Sequence, residues 1–299
     1  MGVIGVDSPH GTDKLPSYEG KDPFFQEEPW CVYCHSRPAA GLRCCSGCHT
    51  AWYCNQTCQK AHYVSGHKEI CLLVAQDVKR VKKYAAPLRK MRVNDVLEDY
   101  FETQVGDFGQ CPKTQMYLAA RHALMDTYET AASEVKIQEV YEKALFHALA
   151  VLRLDAEDGI ETRYVAPFIL LNLHPDDDAF DFIRYWMKVS GQETTEEFWV
   201  RLQSEEGEWT YPREKDCRFL NIYQEVPAAN EHNVPLAFLM AILIIKLRIV
   251  ATYDATCRSI DLAFQTTGGR RIHMIQNAVK DIFLGDRVKI IENQRQQVE

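Results

Sequence analysis

The sequence predicts a small cysteine-rich α+β finger followed by a mainly α-helical domain of packed helical hairpins. Two observations lead to this fold class. Seven cysteines and one histidine lie at short spacings between Cys31 and Cys71, and apolar residues recur at steps of three and four after about residue 94. The first pattern is typical of metal-stabilised fingers, and the second of amphipathic helices.

The composition is that of an ordinary globular chain, with 299 residues, 46% hydrophobic and 25% charged. A finger of about 45 residues leaves roughly 220 for one larger or two small domains. The net charge of −8 argues against a protein that coats nucleic acid or anionic membrane with its whole surface.

The compartment is predicted from the N-terminus and from the longest apolar run. The first residues show no basic stretch followed by an apolar one, as a signal peptide would require. The run from Val234 to Ile245 ends at Lys246, well short of the roughly 20 residues that span a bilayer. We therefore expect no membrane segment and an intracellular protein, in the cytoplasm, the nucleus or both. Thiols stay reduced there, so zinc binding is the default use of paired cysteines.

The candidate metal ligands fall into four pairs. Two pairs have the spacing of Cys-x2-Cys knuckles, and two pairs stand four residues apart, which places both side chains on one face of a helix. The eight residues are Cys31, Cys34, Cys45, Cys48, Cys54, Cys58, His67 and Cys71. Eight ligands make two complete tetrahedral sites, whereas a catalytic zinc would keep one position open for water.

Several neighbours compete with these ligands. Only Cys45, and not Cys44, keeps the two-residue spacing to Cys48. His62 lies nine residues before Cys71, so on a regular helix it is expected to point to the opposite side. His35 and His49 lack a partner at ligand spacing and are predicted to be exposed. Gly47 suits a tight knuckle because it tolerates a positive φ. Spacing alone leaves open whether the ligands pair sequentially or in an interleaved order.

The segment from Cys31 to Cys71 resembles a MYND-type zinc finger. The stretches CSGC, WYC, CQKAH and GHKEIC carry the resemblance. It implies the interleaved order and two zinc ions. One ion would be held by Cys31, Cys34, Cys54 and Cys58, and the other by Cys45, Cys48, His67 and Cys71.

The same resemblance implies a peptide-binding surface. MYND fingers hold a short proline-containing peptide along their small hairpin, and the matching contact positions here are Ser46, Gln59 and Tyr63. Two departures stand out: Tyr63 replaces the usual tryptophan, and one extra residue precedes His67. A tyrosine keeps an aromatic face for a proline ring but offers less area. The alternative is that Tyr63 covers the second zinc, and Trp52 and Tyr53 carry the same ambiguity between core and surface.

Composition divides the rest of the chain. Residues 1–30 are predicted to be a mobile lead-in, 31–71 the finger, 72–93 a basic helical connector, 94–285 the mainly α-helical domain, and 286–299 a polar tail. The connector carries a run of basic residues, which indicates either a solvated helix face, the reading we favour, or a nuclear localisation or nucleic-acid patch. The run comprises Lys79, Arg80, Lys82, Lys83, Arg89, Lys90 and Arg92.

Periodicity predicts the individual helices. Residues 117–131 and 137–152 form an αα-hairpin joined near Ala132–Ser133. A helix over 163–173 and another over 179–189, with an acidic start at 176–178, follow. Residues 192–231 are predicted as loops with a short helix, 235–252 as a central buried helix, and 272–283 as a last helix. The hairpin region also resembles the helical part of fungal-type MYND proteins, which implies a helical domain without established chemistry.

We therefore predict a zinc-binding interaction adaptor that is not an enzyme. Its finger would recognise a short proline-containing motif of a protein partner, and its helical domain would offer a second surface. No small-molecule substrate is evident, and nucleic acid is not expected as a partner. A nuclear transcriptional or chromatin regulator that uses the same finger is the alternative. A SET–MYND lysine methyltransferase is a distant one, since no Asn-His-x-Cys motif follows the finger.

Overall fold

The computed structural model describes residues 28–39, 41–173, 176–192, 214–222, 235–266 and 293–298. They fall into two compact units, the described residues up to 173 and those from 176 onward. The predicted lead-in up to residue 27, most of the predicted loop region 192–231, the predicted last helix 272–283 and much of the predicted tail lie outside the described residues. The domain limits derived from the sequence stay predictions.

The first unit begins with a small hairpin and two helical segments. Strands β1 (Arg43–Cys44) and β2 (Trp52–Tyr53) pair antiparallel. Cys31 forms a parallel bridge to Trp52, so the chain entering the finger lies beside the hairpin. Helix α1 (Gln56–His62) starts at Asn55, whose side chain accepts from the Cys58 N–H at 2.9 Å. A π turn (Tyr63–His67) leads directly into α2 (Lys68–Leu88).

A second hairpin follows α2 and was not predicted. Strands β3 (Met91–Val93) and β4 (Val96–Glu98) pair antiparallel and lead into the short helix α3 (Tyr100–Thr103). The two turn residues, Asn94 and Asp95, have φ of 50° and 63°. Asparagine and aspartate tolerate this left-handed conformation, which two-residue hairpin turns require. The Asn-Asp pair was therefore a readable signal for the hairpin.

The predicted αα-hairpin is present as α4 (Gln115–Val135) and α5 (Gln138–Leu154). Its joint lies at Lys136–Ile137, so the predicted joint at Ala132–Ser133 is wrong by a turn of helix. Lys136 takes a left-handed conformation (φ 54°) and its N–H donates to the Ala132 carbonyl at 2.7 Å, which ends α4. Small side chains are fully buried along both helices and let the two backbones approach closely: Ala120, Ala131, Ala132, Ala144 and Ala148.

Helix α2 joins the finger to this hairpin. It begins within the finger and packs against α4. Asp77, buried on α2, accepts from the Thr127 hydroxyl of α4 at 2.8 Å and from Arg80 at 3.1 Å. The segment predicted as a connector is therefore part of the packed core of the first unit. That unit ends with a 3₁₀ turn (Thr162–Tyr164) and α6 (Ala166–Leu173), where a single longer helix was expected.

The second unit contains α7 (Asp176–Gln192), a 3₁₀ turn (Cys217–Phe219) and α8 (Leu236–Thr266). The acidic start of α7 and its predicted apolar stripe of Phe180, Ile183, Trp186 and Met187 are both confirmed, and the four side chains are buried. Asp177 accepts from the N–H groups of Asp216 and Arg218, each at 3.0 Å. The acidic start of α7 thus holds this turn in place, as expected for structural carboxylates.

Helix α8 is longer than predicted and less uniformly buried. It continues through Lys246 to Thr266, with Phe238, Ile242 and Ile249 buried while Met240 and Leu262 are exposed. Its part from Leu236 to Ala263 is long and apolar enough to cross a bilayer by length and composition, a test that core helices also pass. Buried Lys246 donates to the carbonyls of Arg218 and Leu220 and to Gln294 Oε1, at 2.7–2.8 Å. This satisfied lysine fits a core helix of the second unit.

The contact between α2 and α4 can be tested at Asp77. Asp77→Ala removes the charged acceptor that Thr127 of α4 and Arg80 share, while the Thr127 hydroxyl keeps the Ala123 carbonyl at 2.9 Å, and we expect it to lower the free energy of unfolding by about 1–2 kcal/mol. Urea titration followed by circular dichroism is the measurement. Lys82→Ala, at an exposed site on the same helix, is the matched control and should change stability by less than about 0.5 kcal/mol. Equal effects of the two changes would show that Asp77 does not join the helices.

Candidate metal centre and finger surface

The eight predicted ligands come together in two groups of four, in the interleaved order. Cys31, Cys34, Cys54 and Cys58 form one group, and Cys45, Cys48, His67 and Cys71 form the other; within each group the ligand atoms lie within 4.8 Å of one another. The hairpin and the α1–α2 segment each supply two ligands to the second group. Sequential pairing, which spacing alone allowed, is therefore excluded.

The distances between ligand atoms fit zinc. Around a tetrahedral ion with a metal–sulfur bond of about 2.3 Å, sulfur atoms lie about 3.8 Å apart. The Sγ–Sγ distances are 3.6 Å for Cys34–Cys54, 3.3 Å for Cys54–Cys58 and 3.7 Å for Cys45–Cys71. Cys48 Sγ lies 3.3 Å from Nε2 of His67. Only a small expansion of each group is needed to hold the ion.

Both knuckles have the same backbone. The residue after each second cysteine is a histidine with positive φ, 58° at His35 and 57° at His49. Their N–H groups donate to the carbonyls of Cys31 and Cys45, at 2.7 and 2.9 Å. These histidines are exposed turn residues, as predicted, and neither belongs to a ligand group.

Two polar side chains donate to ligand sulfurs and a third lies within hydrogen-bond distance of one, and the sequence analysis did not identify them. The Thr50 hydroxyl donates to Cys48 at 3.1 Å and the Asn55 amide to Cys54 at 3.3 Å, while the Ser36 hydroxyl lies 3.0 Å from Cys34 Sγ. Such donors stabilise negative charge on thiolate ligands and orient them. The sequence contained a signal for Ser36 and Thr50, because the second cysteine of each knuckle is followed by His-Ser or His-Thr.

Gly47 is required for a reason other than the predicted one. Its φ is not positive. A Cβ atom at this position would lie 2.9 Å from Cys71 Sγ, closer than side-chain atoms normally approach. The knuckle therefore needs glycine because Cys71, a ligand of the second metal group, lies directly over its backbone.

Cys44 is a spectator, as expected. It belongs to neither ligand group, and burial raises the pKa of its thiol to about 11.

His62 departs from its prediction. Its ring stacks on that of His67, with centroids 5.3 Å apart and planes 19° from parallel, and its Nδ1 lies 2.9 Å from the Tyr53 hydroxyl. The π turn explains this position, because one additional residue per turn brings positions five apart onto the same face. The extra residue noticed before His67 is thus accommodated in the π turn, and His62 supports the ligand His67.

The two sites differ in charge and in burial. Four thiolates around Zn²⁺ carry a formal charge of −2, and three thiolates with a neutral imidazole carry −1. The more charged group includes exposed Cys34 and half-buried Cys54, whereas all four members of the other group are buried. The site with the lower charge lies in the interior, where burial of charge costs more free energy.

The buried site also lies against the helical hairpin. Lys143 of α5 donates to the His49 carbonyl at 2.7 Å and lies over the Trp52 ring at 5.6 Å. Burial, assisted by the nearby Cys48 thiolate, raises the pKa of Tyr128 of α4 to about 12. Trp52 and Tyr53 are buried, so both belong to the core of the finger and not to its surface.

The predicted peptide contacts lie on the outer parts of the finger. Ser46 is exposed within the second knuckle, Gln59 is half-buried on α1, and Tyr63 is half-buried at the start of the π turn. Gln59 and Tyr63 stand one helical turn apart, since the Tyr63 N–H donates to the Gln59 carbonyl. No contact between Ser46 and the other two is present among the described residues, so their joint role stays a prediction.

Comparison with known proteins identifies the segment that contains both metal groups. Residues 31–71 match the family model of the MYND finger. Residues 31–71 are a MYND finger. The chain as a whole matches no curated protein and no solved structure. MYND fingers are zinc-binding, non-catalytic domains that mediate protein–protein interaction, so the match establishes the two zinc sites and the general role of this segment.

The zinc content provides the first test of the site. Elemental analysis of the purified chain should find two zinc ions per molecule, one for each ligand group. Cys45→Ser removes a ligand of the buried site and should lower the ratio to about one while destabilising the finger, because metal binding supplies much of the folding energy of so small a domain. Cys44→Ser is the matched control and should keep the ratio near two. If Cys44→Ser instead loses zinc, the ligand assignment in the second knuckle is wrong.

Zinc removal should affect the two units differently. From the sequence alone, the helical domain as a whole would be expected to survive chelation, because its core lies outside the finger. The structure instead joins the finger to α2, α4 and α5 and places α7 and α8 in the second unit. After chelation we expect amide hydrogen exchange to accelerate over α2, while α7 and α8 stay protected. Unchanged protection of α2 would show that its fold does not depend on the metal.

Proposed function

We propose that this protein is a zinc-dependent adaptor whose MYND finger holds a short proline-containing peptide of a partner, while the helical region offers a second surface. The observation that carries the proposal is the match of residues 31–71 to the MYND finger, with two ligand groups in the family's order. The protein would act in the cytoplasm, the nucleus or both.

The coordination supports binding rather than catalysis. Each metal group contains four protein ligands, so no coordination position is left for a water nucleophile or a substrate oxygen. Zinc would therefore fix the backbone of the finger and take no part in chemistry. We infer that the protein is not an enzyme.

The exposed part of the finger supports the peptide site. Lys143 and the helical hairpin bury the Trp52 side of the finger, so this aromatic ring is not free to meet a proline. Tyr63 keeps an accessible ring, and Ser46 and Gln59 offer a hydroxyl and an amide for the peptide backbone. An aromatic face with nearby polar groups suits a proline-containing segment in extended conformation.

A nuclear regulatory role is the alternative, and the basic run favours it. Lys79, Lys82 and Lys83 are exposed on α2, whereas Arg80 and Arg89 are engaged by Asp77 and Asp99. Three exposed lysines on one helix could serve nuclear entry. Imaging of the full chain beside the variant with all three changed to glutamine distinguishes the alternatives, because loss of a nuclear signal would support regulation in the nucleus.

Substitution at Tyr63 tests the peptide site. Tyr63→Ala removes the aromatic face and should weaken peptide binding severalfold, and Tyr63→Trp should tighten it because indole offers more apolar area. Binding by a groove of this size should be roughly micromolar or weaker. Titration of a library of proline-containing peptides against the full chain is the measurement, with zinc content confirmed for each variant.

Tyr33→Ala is the matched control, since Tyr33 is an exposed tyrosine of the first knuckle and no metal ligand. It should leave both affinity and zinc content unchanged. If Tyr63→Ala binds as the unmodified chain does, Tyr63 only covers the second zinc and the partner surface lies elsewhere. Affinity purification with the unmodified chain and with Cys45→Ser then shows whether any partner depends on the finger.

A further inference from the structure

A buried arginine in the helical hairpin has no carboxylate partner. Arg121 of α4 is 4% exposed, and among the described residues no aspartate or glutamate pairs with it. Three half-buried arginines of the first unit, Arg80, Arg89 and Arg163, each meet an aspartate. A buried charge without a counter-ion is costly, so its retention calls for an explanation in terms of what it binds.

The hydrogen bonds of Arg121 leave one edge of its guanidinium group unused. Nη1 donates to the hydroxyl of Tyr117, one helical turn earlier. Nε is buried and has no hydrogen-bond partner. The edge formed by Nε and Nη2 presents two parallel N–H donors, which is the arrangement that meets a carboxylate or a phosphate in a bidentate manner.

Aromatic rings cover the faces of the same group. The guanidinium carbon lies 5.3 Å from the ring centre of Phe146 and 5.9 Å from that of Tyr117. These contacts hold the guanidinium plane in a fixed orientation and offset part of the cost of its burial. Phe146 is 40% exposed, whereas Tyr117 is buried and Nε of Arg121 itself has no exposed surface, so a small ligand reaches Nε only when the Phe146 side chain turns aside.

The surroundings add positive charge and another unsatisfied polar atom. His147 is 5% exposed, its Nδ1 has no partner, and burial together with the charge of Arg121 lowers its pKa well below the usual value. It is therefore a neutral imidazole near Arg121. Burial and the charge of Arg121 also lower the pKa of Arg153. We call the group of Tyr117, Arg121, Phe146 and His147, between α4 and α5, the seam.

We propose that this seam is a binding site for an oxyanion, a carboxylate or a phosphate group, held side-on by Nε and Nη2 of Arg121. Phe146 covers the bound group, and Tyr117 fixes the orientation of the guanidinium. The site lies on the helical hairpin and uses none of the zinc ligands or the predicted peptide contacts. It is therefore independent of the finger's role in binding.

Titration of the full chain with sodium phosphate and with sodium acetate tests the site, at an ionic strength held constant with chloride. The Nε–H resonance of Arg121, observed by NMR on arginine-labelled protein, should move and saturate with one anion or both. Stability should rise in parallel: at an anion concentration ten times the dissociation constant, the folding equilibrium constant should increase about elevenfold. A response to phosphate alone assigns a phosphate ligand, and a response to acetate alone assigns a carboxylate.

Variants separate this site from general salt effects. Arg121→Lys keeps the charge but loses the two parallel donors, so the anion-dependent stabilisation should disappear. Arg92→Lys, at an exposed position on β3, is the matched control and should keep it. If the Nε–H resonance does not move with either anion, or if Arg121→Lys keeps the stabilisation, the proposal is wrong and Arg121 is a structural residue held by its aromatic neighbours. The resonance of the unmodified chain decides the matter even if the lysine variant does not fold.

Discussion

The interleaved coordination of two metal ions is the constraint on which the first unit depends. Each ligand group combines residues from two separate stretches of the finger: the first ion needs the 31–34 stretch to meet the 54–58 stretch, and the second needs the hairpin turn to meet the 67–71 stretch. A chain of this length between ligands has almost no apolar core, and metal coordination replaces it. The consequence reaches beyond the finger, because Cys71 is both a ligand and part of the first turn of α2, the helix that packs on α4.

The electrostatic arrangement follows the same logic. The site with three thiolates and an imidazole is buried, with Lys143 beside its knuckle, and the site with four thiolates is partly exposed at Cys34 and Cys54. Lys143 contributes a positive charge beside the finger and donates a hydrogen bond to the His49 carbonyl, an acceptor without a partner inside the knuckle. Lys143, which also pairs with Glu139 at 2.8 Å, thereby links α5 to the finger within one compact unit.

The ligands and the helices were readable from the sequence for physical reasons. Closed tetrahedral coordination imposes short, fixed spacings, and burial of one helix face imposes a period near 3.6. The pairing of ligands was not readable from spacing, because both orders satisfy it. His62 was misplaced because a regular helix was assumed where the chain inserts a π turn. The α4–α5 joint was placed too early, since Ala132 and Ser133 resemble a break whereas the left-handed Lys136 makes it.

Other features could not be predicted because they depend on tertiary contacts. Nothing in the neighbourhood of Arg121 along the chain shows that it is buried beside Phe146, which is 25 residues away. The role of Lys143 likewise depends on the contact between α5 and His49 of the second knuckle, 94 residues earlier. Local patterns specify which face of a helix is apolar, and they do not specify which polar side chain of a distant helix will meet it.

Because α2 is one continuous helix, it sets fixed distances within the first unit. A helix of 21 residues is a stiff rod about 32 Å long, fixed in the finger by a metal ligand at one end and held along its side by α4. The helical hairpin lies against both this rod and the finger, so surfaces on the two parts keep fixed relative positions. A partner that bound both would gain avidity only if the chain between its two binding segments matched that separation.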